Sequence, residues 1–220
     1  MPQLYLLSAD EARALPAAFC ARWFPARVRR AEKMPPDTAA LCLAAGALIA
    51  SVLHLHEDAL RAGPYGKPEA PGVFFSLSHS GGYALLAVSD SDVGADLEQI
   101  RPAPERVAAR VFTPDEQRWL ADGTDYGTRF FTLWTLKEAL LKACGRGLTL
   151  PLQSLDVLPL LRGQSVQTPD GAFFGSTQQF DGYCLAVCTH ASDPPAVPQR
   201  LTSADILRAC GFSRQTTESL

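Results

Sequence analysis

Apolar residues along the chain fall into two kinds of run. Long stretches rich in Ala and Leu predict helices over Ser8 to Arg30, Asp37 to Arg61, Pro104 to Arg110, Pro114 to Ala121 and Thr128 to Ala143. Short runs rich in Val, Phe and Tyr, bounded by Gly, Asp or Ser, predict strands over Val73 to Ser78, Tyr83 to Val88 and Val93 to Gln99. Leu155 to Val187 returns to strands separated by Gly-Gln, Pro-Asp-Gly and Asp-Gly turns. Helices first and strands after, twice over, predict an α+β fold with antiparallel sheets. Gly82-Tyr83-Ala84-Leu85-Leu86-Ala87-Val88 recurs a hundred residues later as Gly182-Tyr183-Cys184-Leu185-Ala186-Val187, which points to a duplicated unit. The chain therefore divides into an α+β subdomain over residues 1–92 and a second over 93–220, the latter ending in a peripheral tail from Ser192 to Leu220.

The most apolar stretch, Thr38 to His56, is free of charge for 19 residues. Its strongly apolar part, Ala39 to Val52, is shorter than the ~20 residues a membrane span needs, so it predicts a buried core helix. His54 and His56 follow it; on a helix they would point ~200° apart and share no metal ion, which leaves a solvated helix end. With 220 residues, 47% hydrophobic and 20% charged, the chain is neither disordered, collagenous nor a coiled coil. A chain of this length buries roughly 70% of its unfolded surface without help from disulfides or a structural metal. The 20 Lys and Arg against 23 Asp and Glu give a net charge of −3, which argues against a nucleic-acid partner and makes any anion site local. The opening MPQLYLLSADEARALP has no basic region followed by a long apolar one, so a cytoplasmic location is expected. Six cysteines without a CxxC pair fit that reducing compartment as small apolar fillers.

Chemistry concentrates in a few segments. In Val93-Gly94-Ala95-Asp96-Leu97-Glu98 a strand would place Asp96 and Glu98 on one side and Ala95 and Leu97 on the other. Two carboxylates on one face repel unless a cation sits between them, and oxygen ligands alone select a hard ion such as Mg²⁺. The plain alternative is a solvated strand end. In Trp134-Thr135-Leu136-Lys137-Glu138-Ala139-Leu140-Leu141-Lys142 a helix makes Glu138 and Lys142 neighbours at i and i+4, with Lys137 ~100° around from Glu138. Such a pair could serve as metal ligand or base and as phosphate clamp, or be an ordinary surface ion pair. Phe75-Ser76-Leu77-Ser78-His79-Ser80-Gly81-Gly82 runs from a strand into a turn, and its hydroxyls, backbone N–H groups and imidazole make an anion cradle. A Ser-His nucleophile pair is disfavoured, because adjacent strand residues face opposite ways and no Gly-x-Ser-x-Gly elbow is present. Lys67 in Tyr65-Gly66-Lys67-Pro68 and the cluster Arg27, Arg29, Arg30 and Lys33 are each, taken singly, solvated cations.

Taken in order, Gly-Lys-Pro, Ser-x-Ser-His-Ser-Gly, Val-Gly-Ala-Asp-x-Glu and, about forty residues on, Trp-Thr-x-Lys-Glu-Ala-x-x-Lys resemble the 4′-phosphopantetheinyl transferases. The likeness is to their Sfp-like, surfactin-synthetase-activating group, and runs from about Tyr65 to Leu150. It implies two similar α+β halves with the active site in the cleft between them, in a monomer with pseudo-dimeric architecture. It implies Mg²⁺-dependent transfer of phosphopantetheine from coenzyme A to a serine of an apo acyl or peptidyl carrier protein, releasing adenosine 3′,5′-bisphosphate. Such carriers belong to fatty acid, polyketide or nonribosomal peptide assembly. Carried over by position, Asp96, Glu98 and Glu138 are ligands of Mg²⁺ or Mn²⁺, with Glu116 joined through water. Lys67, Ser78, His79, Lys137 and Lys142 fall where the family contacts coenzyme A phosphates, and Arg27 and Arg30 roughly where basic residues hold the 3′-phosphate. Asp96, Glu138 as base and Lys142 as stabiliser of the departing bisphosphate form the implied catalytic group. Cys42 stands four residues before Gly46, where the family often has Arg. Two other readings are open: a Mg²⁺-dependent nucleotidyl or phosphoryl transferase without a P-loop, and a silent carrier-binding module.

Overall fold

The computed structural model of the protein describes residues 1–192 and 197–212. Strand β1 (Gln3–Ser8) leads into three short helices, α1 (Ala9–Arg13), α2 (Ala17–Trp23) and α3 (Pro25–Ala31), and then into α4 (Pro36–Val52). The single helix expected over Ser8 to Arg30 is thus broken where prolines fall: Pro16 precedes α2 and Pro25 opens α3, because a proline lacks the N–H that an interior turn needs. β1 itself was not anticipated; its six residues alternate Leu4 and Leu6 toward one layer and Leu7 toward another, too short a signal to separate from the helix that follows.

Strands β2 (Arg61–Ala62) and β3 (Pro68–Glu69) form a small ribbon before β4 (Phe74–Ser80), β5 (Tyr83–Ser89) and β6 (Val93–Gln99). Helices α5 (Glu105–Val111), α6 (Pro114–Ala121) and α7 (Tyr126–Cys144) follow, then β7 (Val166–Thr168), β8 (Gly171–Phe180), β9 (Tyr183–Thr189), β10 (Gln199–Leu201) and α8 (Ser203–Ala209). One four-stranded sheet has the order β10-β1-β5-β4 and the other β6-β9-β8-β7. The fold is α+β, as expected from the pattern.

The duplicated unit is visible in the register. β1 pairs antiparallel with β5 so that Ser8 faces Tyr83, and β6 pairs with β9 so that Gln99 faces Tyr183. The next residues, Ala9 and Ile100, donate their N–H groups to the turn carbonyls of Gly82 and Gly182, both at 2.8 Å. At the junction the rings of Tyr83 and Tyr183 meet edge to face at 5.4 Å, and the Tyr183 hydroxyl accepts the Gly82 N–H at 2.8 Å.

Four layers result. Leu4, Leu6, Leu85 and Ala87 of one sheet pack against Ala95, Leu97, Leu185 and Val187 of the other in a shared central core. α4 covers the outer face of the first sheet and is buried almost all round, and α7 covers the second. No helix among the described residues is long and apolar enough to cross a membrane. α4 ends at Val52, His54 is exposed, and the His56 ring bonds the Arg22 carbonyl at 2.9 Å, so the two histidines share no site.

The tail departs from expectation. Residues 193–196 and 213–220 lie outside the described residues, but β10 pairs in parallel with β1 and α8 buries Ile206 and Leu207 beneath the first sheet's helices. This segment belongs structurally with the first half of the chain. Its helix starts with a capping box in which Thr202 and Asp205 satisfy each other's backbone N–H, a signal present in the sequence.

Candidate active site

Along β6, Val93, Ala95 and Leu97 enter the central core, which turns Gly94, Asp96 and Glu98 toward α7. Gly94 allows the close approach: a Cβ there would collide with the Ala139 carbonyl and the Ala143 backbone nitrogen of α7. Glu138 and Lys142, one turn apart on α7, come with Ala139 and Ala143 to the same strand. The Lys142 ammonium donates to Asp96 Oδ1 at 2.7 Å and to the Ala95 carbonyl at 3.2 Å. Asp96 is buried; its Oδ1 also accepts from the Ser78 hydroxyl at 2.6 Å, while Oδ2 has no hydrogen-bond partner in the protein.

Glu138 titrates above the ordinary carboxylate range. Burial is the chief cause, the Asp96 charge adds to it, Lys142 opposes it and Glu98 adds a further increment. Glu98 is held by the Ser80 hydroxyl at 2.6 Å. Glu138 therefore senses both acids of β6. Among the described residues no three Asp, Glu, His or Cys side chains are gathered at ligating range, and Lys142 supplies the positive charge beside Asp96. The donor set still suits a hard divalent cation: it is all oxygen, mutually repulsive, and contains a buried carboxylate oxygen that nothing satisfies.

Lys67 reaches this site from the first half of the chain, where its ammonium donates to the Val93 carbonyl at 3.0 Å. Burial lowers its pKa, with Asp92 and Glu69 opposing. Tyr65, Lys67, Leu77, Glu138, Lys142 and Gly147 line a cleft of about 260 Å³ between the halves. It adjoins a larger one of about 500 Å³ through Tyr65, Lys67, Pro68 and Gly145.

Several of the expected site residues lie elsewhere. Lys137 is fully buried, with its ammonium 2.8 Å from Glu116 and bonded to the carbonyls of Leu152 and Leu155. Burial lowers its pKa while Glu116 opposes the change. Glu116 is equally buried: one oxygen accepts the Thr113 N–H at 2.7 Å and the other the Val157 N–H at 2.9 Å. Neither touches the cleft, so the expected phosphate contact of Lys137 and the water-linked metal role of Glu116 are corrected. Together they lock the start of α6 to α7 and to the segment after it. The Ser78 hydroxyl, expected to face a phosphate, is committed to Asp96 and to the Leu97 N–H at 3.3 Å. His79 is exposed on the other face of β4 from Ser78, the face from which Leu77 lines the cleft.

Arg27 and Arg30 stand on α3 and are not brought against the carboxylates. The Arg27 stem packs from α3 over Gly46 of α4, beside Cys42. Burial lowers the Arg27 pKa, against the influence of Cys42.

The sequence pattern put Ser76 and Ser80, with Ser78, in an anion cradle, but the structure commits all three hydroxyls to β6 and its acids. Ser76, Ser78 and Ser80 face β6 together, and their hydroxyls accept the N–H groups of Ala95, Leu97 and Gln99 at 3.0, 3.3 and 3.1 Å. They join the edge of one sheet to the edge of the other. Serines repeating every second residue on a predicted strand were the available signal.

Residues 92–188 match the family model described as the 4′-phosphopantetheinyl transferase superfamily. A 4′-phosphopantetheinyl transferase of Bacillus subtilis is 36% identical over 141 residues, 59% of this chain and 62% of that protein. The 4′-phosphopantetheinyl transferase Sfp of Bacillus subtilis strain 168 is 36% identical over 143 residues, 60% of this chain and 62% of that protein. The 4′-phosphopantetheinyl transferase HetI of a Nostoc species is 44% identical over 82 residues, 35% of each chain. The matched segment thus spans about three-fifths of the length of the first two relatives. The resemblance carried by the motifs is borne out: over this segment the chain is similar to the Sfp-like proteins.

Proposed function

We propose, from the match of residues 92–188 to the 4′-phosphopantetheinyl transferase superfamily, that this chain transfers phosphopantetheine from coenzyme A to a serine of an apo carrier protein. The observation that carries the proposal is the buried Asp96, one oxygen unsatisfied, facing Glu138 and Lys142 at the wall of the cleft between the two halves. Asp96, Glu98 and Glu138 would hold Mg²⁺ or Mn²⁺. A bound divalent ion would offset the negative charge that grows on the pyrophosphate oxygens.

The chain's own residues supply the remainder. Glu138, whose carboxyl titrates above its ordinary range, takes the proton of the attacking serine hydroxyl. The serine oxygen bonds to the phosphorus of the phosphopantetheine arm, and the bond from that phosphorus to the bridging oxygen breaks. Adenosine 3′,5′-bisphosphate leaves with the electron pair, opposite the Lys142 and Lys67 ammonium groups that line the cleft. Arg27 and Arg30 would face the 3′-phosphate end of the nucleotide. The protein acts as a monomer in the cytoplasm on acyl or peptidyl carriers.

Intact-mass analysis of an apo carrier protein incubated with coenzyme A, Mg²⁺ and this protein tests the proposal. A gain of one phosphopantetheine, prevented by EDTA, is expected. No gain across several acyl and peptidyl carriers overturns it.

A further inference from the structure

Three serines on β4 make the same bond to the neighbouring strand but spend their protons differently. Each accepts one backbone N–H of β6, so its remaining donor has a fixed direction. Ser76 turns its proton to the Ala95 carbonyl at 3.4 Å, whereas Ser78 and Ser80 turn theirs to Asp96 Oδ1 and Glu98 Oε2, both at 2.6 Å. We infer that Ser80, together with Ser78, is a positioning residue that orients the acidic pair of β6 for a divalent cation.

The argument is geometric. A carboxylate without a fixed partner turns about its side-chain bonds, and Glu98, only half buried, would do so more than the buried Asp96. A short bond from a hydroxyl that is itself tied to the backbone fixes one oxygen of each acid and leaves the other available. In Asp96 that other oxygen is the buried one without a partner. Outer partners of metal-binding carboxylates commonly act this way. Because the serines belong to the first half of the chain and the acids to the second, the site depends on the seam between the sheets.

The inference rests on the proposed cation site, and the test separates the two. Mn²⁺ is titrated by electron paramagnetic resonance in the presence of coenzyme A, with thermal unfolding recorded for each variant. Ser80→Ala should weaken Mn²⁺ binding about 10-fold or more, and Ser80→Thr, which keeps the hydroxyl, should restore it. Ser76→Ala is the control: it loses the same bond across the seam but holds no carboxylate, and should bind Mn²⁺ as the unaltered protein does. Unchanged affinity in a folded Ser80→Ala overturns the inference, as does equal weakening by Ser76→Ala, which would make the ladder a tether only. Should Ser80→Ala not fold, a folded Ser80→Thr that binds Mn²⁺ normally supports it, and one that has lost binding overturns it. If the unaltered protein binds no Mn²⁺ at all, the cation site itself is wrong and the inference falls with it.

Discussion

At the scale of single residues, two adjacent charged side chains on α7 have opposite fates. Lys137 points into the protein and neutralises Glu116, while Glu138 faces Asp96 across the cleft wall. Replacing Lys137 by Met should therefore damage stability first. It strands the Glu116 charge and two carbonyls, a loss of about 3–5 kcal/mol read as a lower unfolding midpoint, with transfer per folded molecule retained. Glu138→Gln should do the reverse: transfer falls by about 10²-fold or more with the melting temperature held. The periods of strand and helix already place Asp96 beside Glu98 and Glu138 beside Lys142, which is why those four are legible in the sequence. Nothing local distinguishes Lys137 from Lys142. Which lysine is buried depends on Leu152, Leu155 and Glu116, residues up to 21 positions away in the sequence.

At the scale of elements, the contact of β6 with α7 decides whether the site exists. Gly94→Ala should push the helix off the strand, because backbone atoms rather than a flexible side chain occupy the space. Overpacking of this kind costs about 1–3 kcal/mol, visible as a lower urea midpoint, and transfer should fall further than stability does since Glu138 and Lys142 move with the helix. α6 and α7 were readable because periodic runs and capped starts mark them, and β6 because its acids alternate with apolar residues. β1 and β10 were not, being six and three residues long and defined by partners far along the chain.

At the scale of the molecule, the repeated Gly-Tyr strand foretold the two similar sheets, but not how they are joined. Their union uses a shared apolar core, the Tyr83–Tyr183 contact, the serine ladder, and a tail that crosses back to the first sheet. Ile206 is fully buried in that return. Ile206→Ala should lower stability by about 2–5 kcal/mol in chemical denaturation. The mass of an apo carrier protein after incubation with coenzyme A and Mg²⁺, compared between the unaltered chain, Glu138→Gln and Asp96→Asn, tests the central claim most directly. A gain of one phosphopantetheine with the unaltered chain and none, at equal time, with either folded variant is the predicted result. Equal modification by all three would contradict the assignment of the site to Asp96 and Glu138.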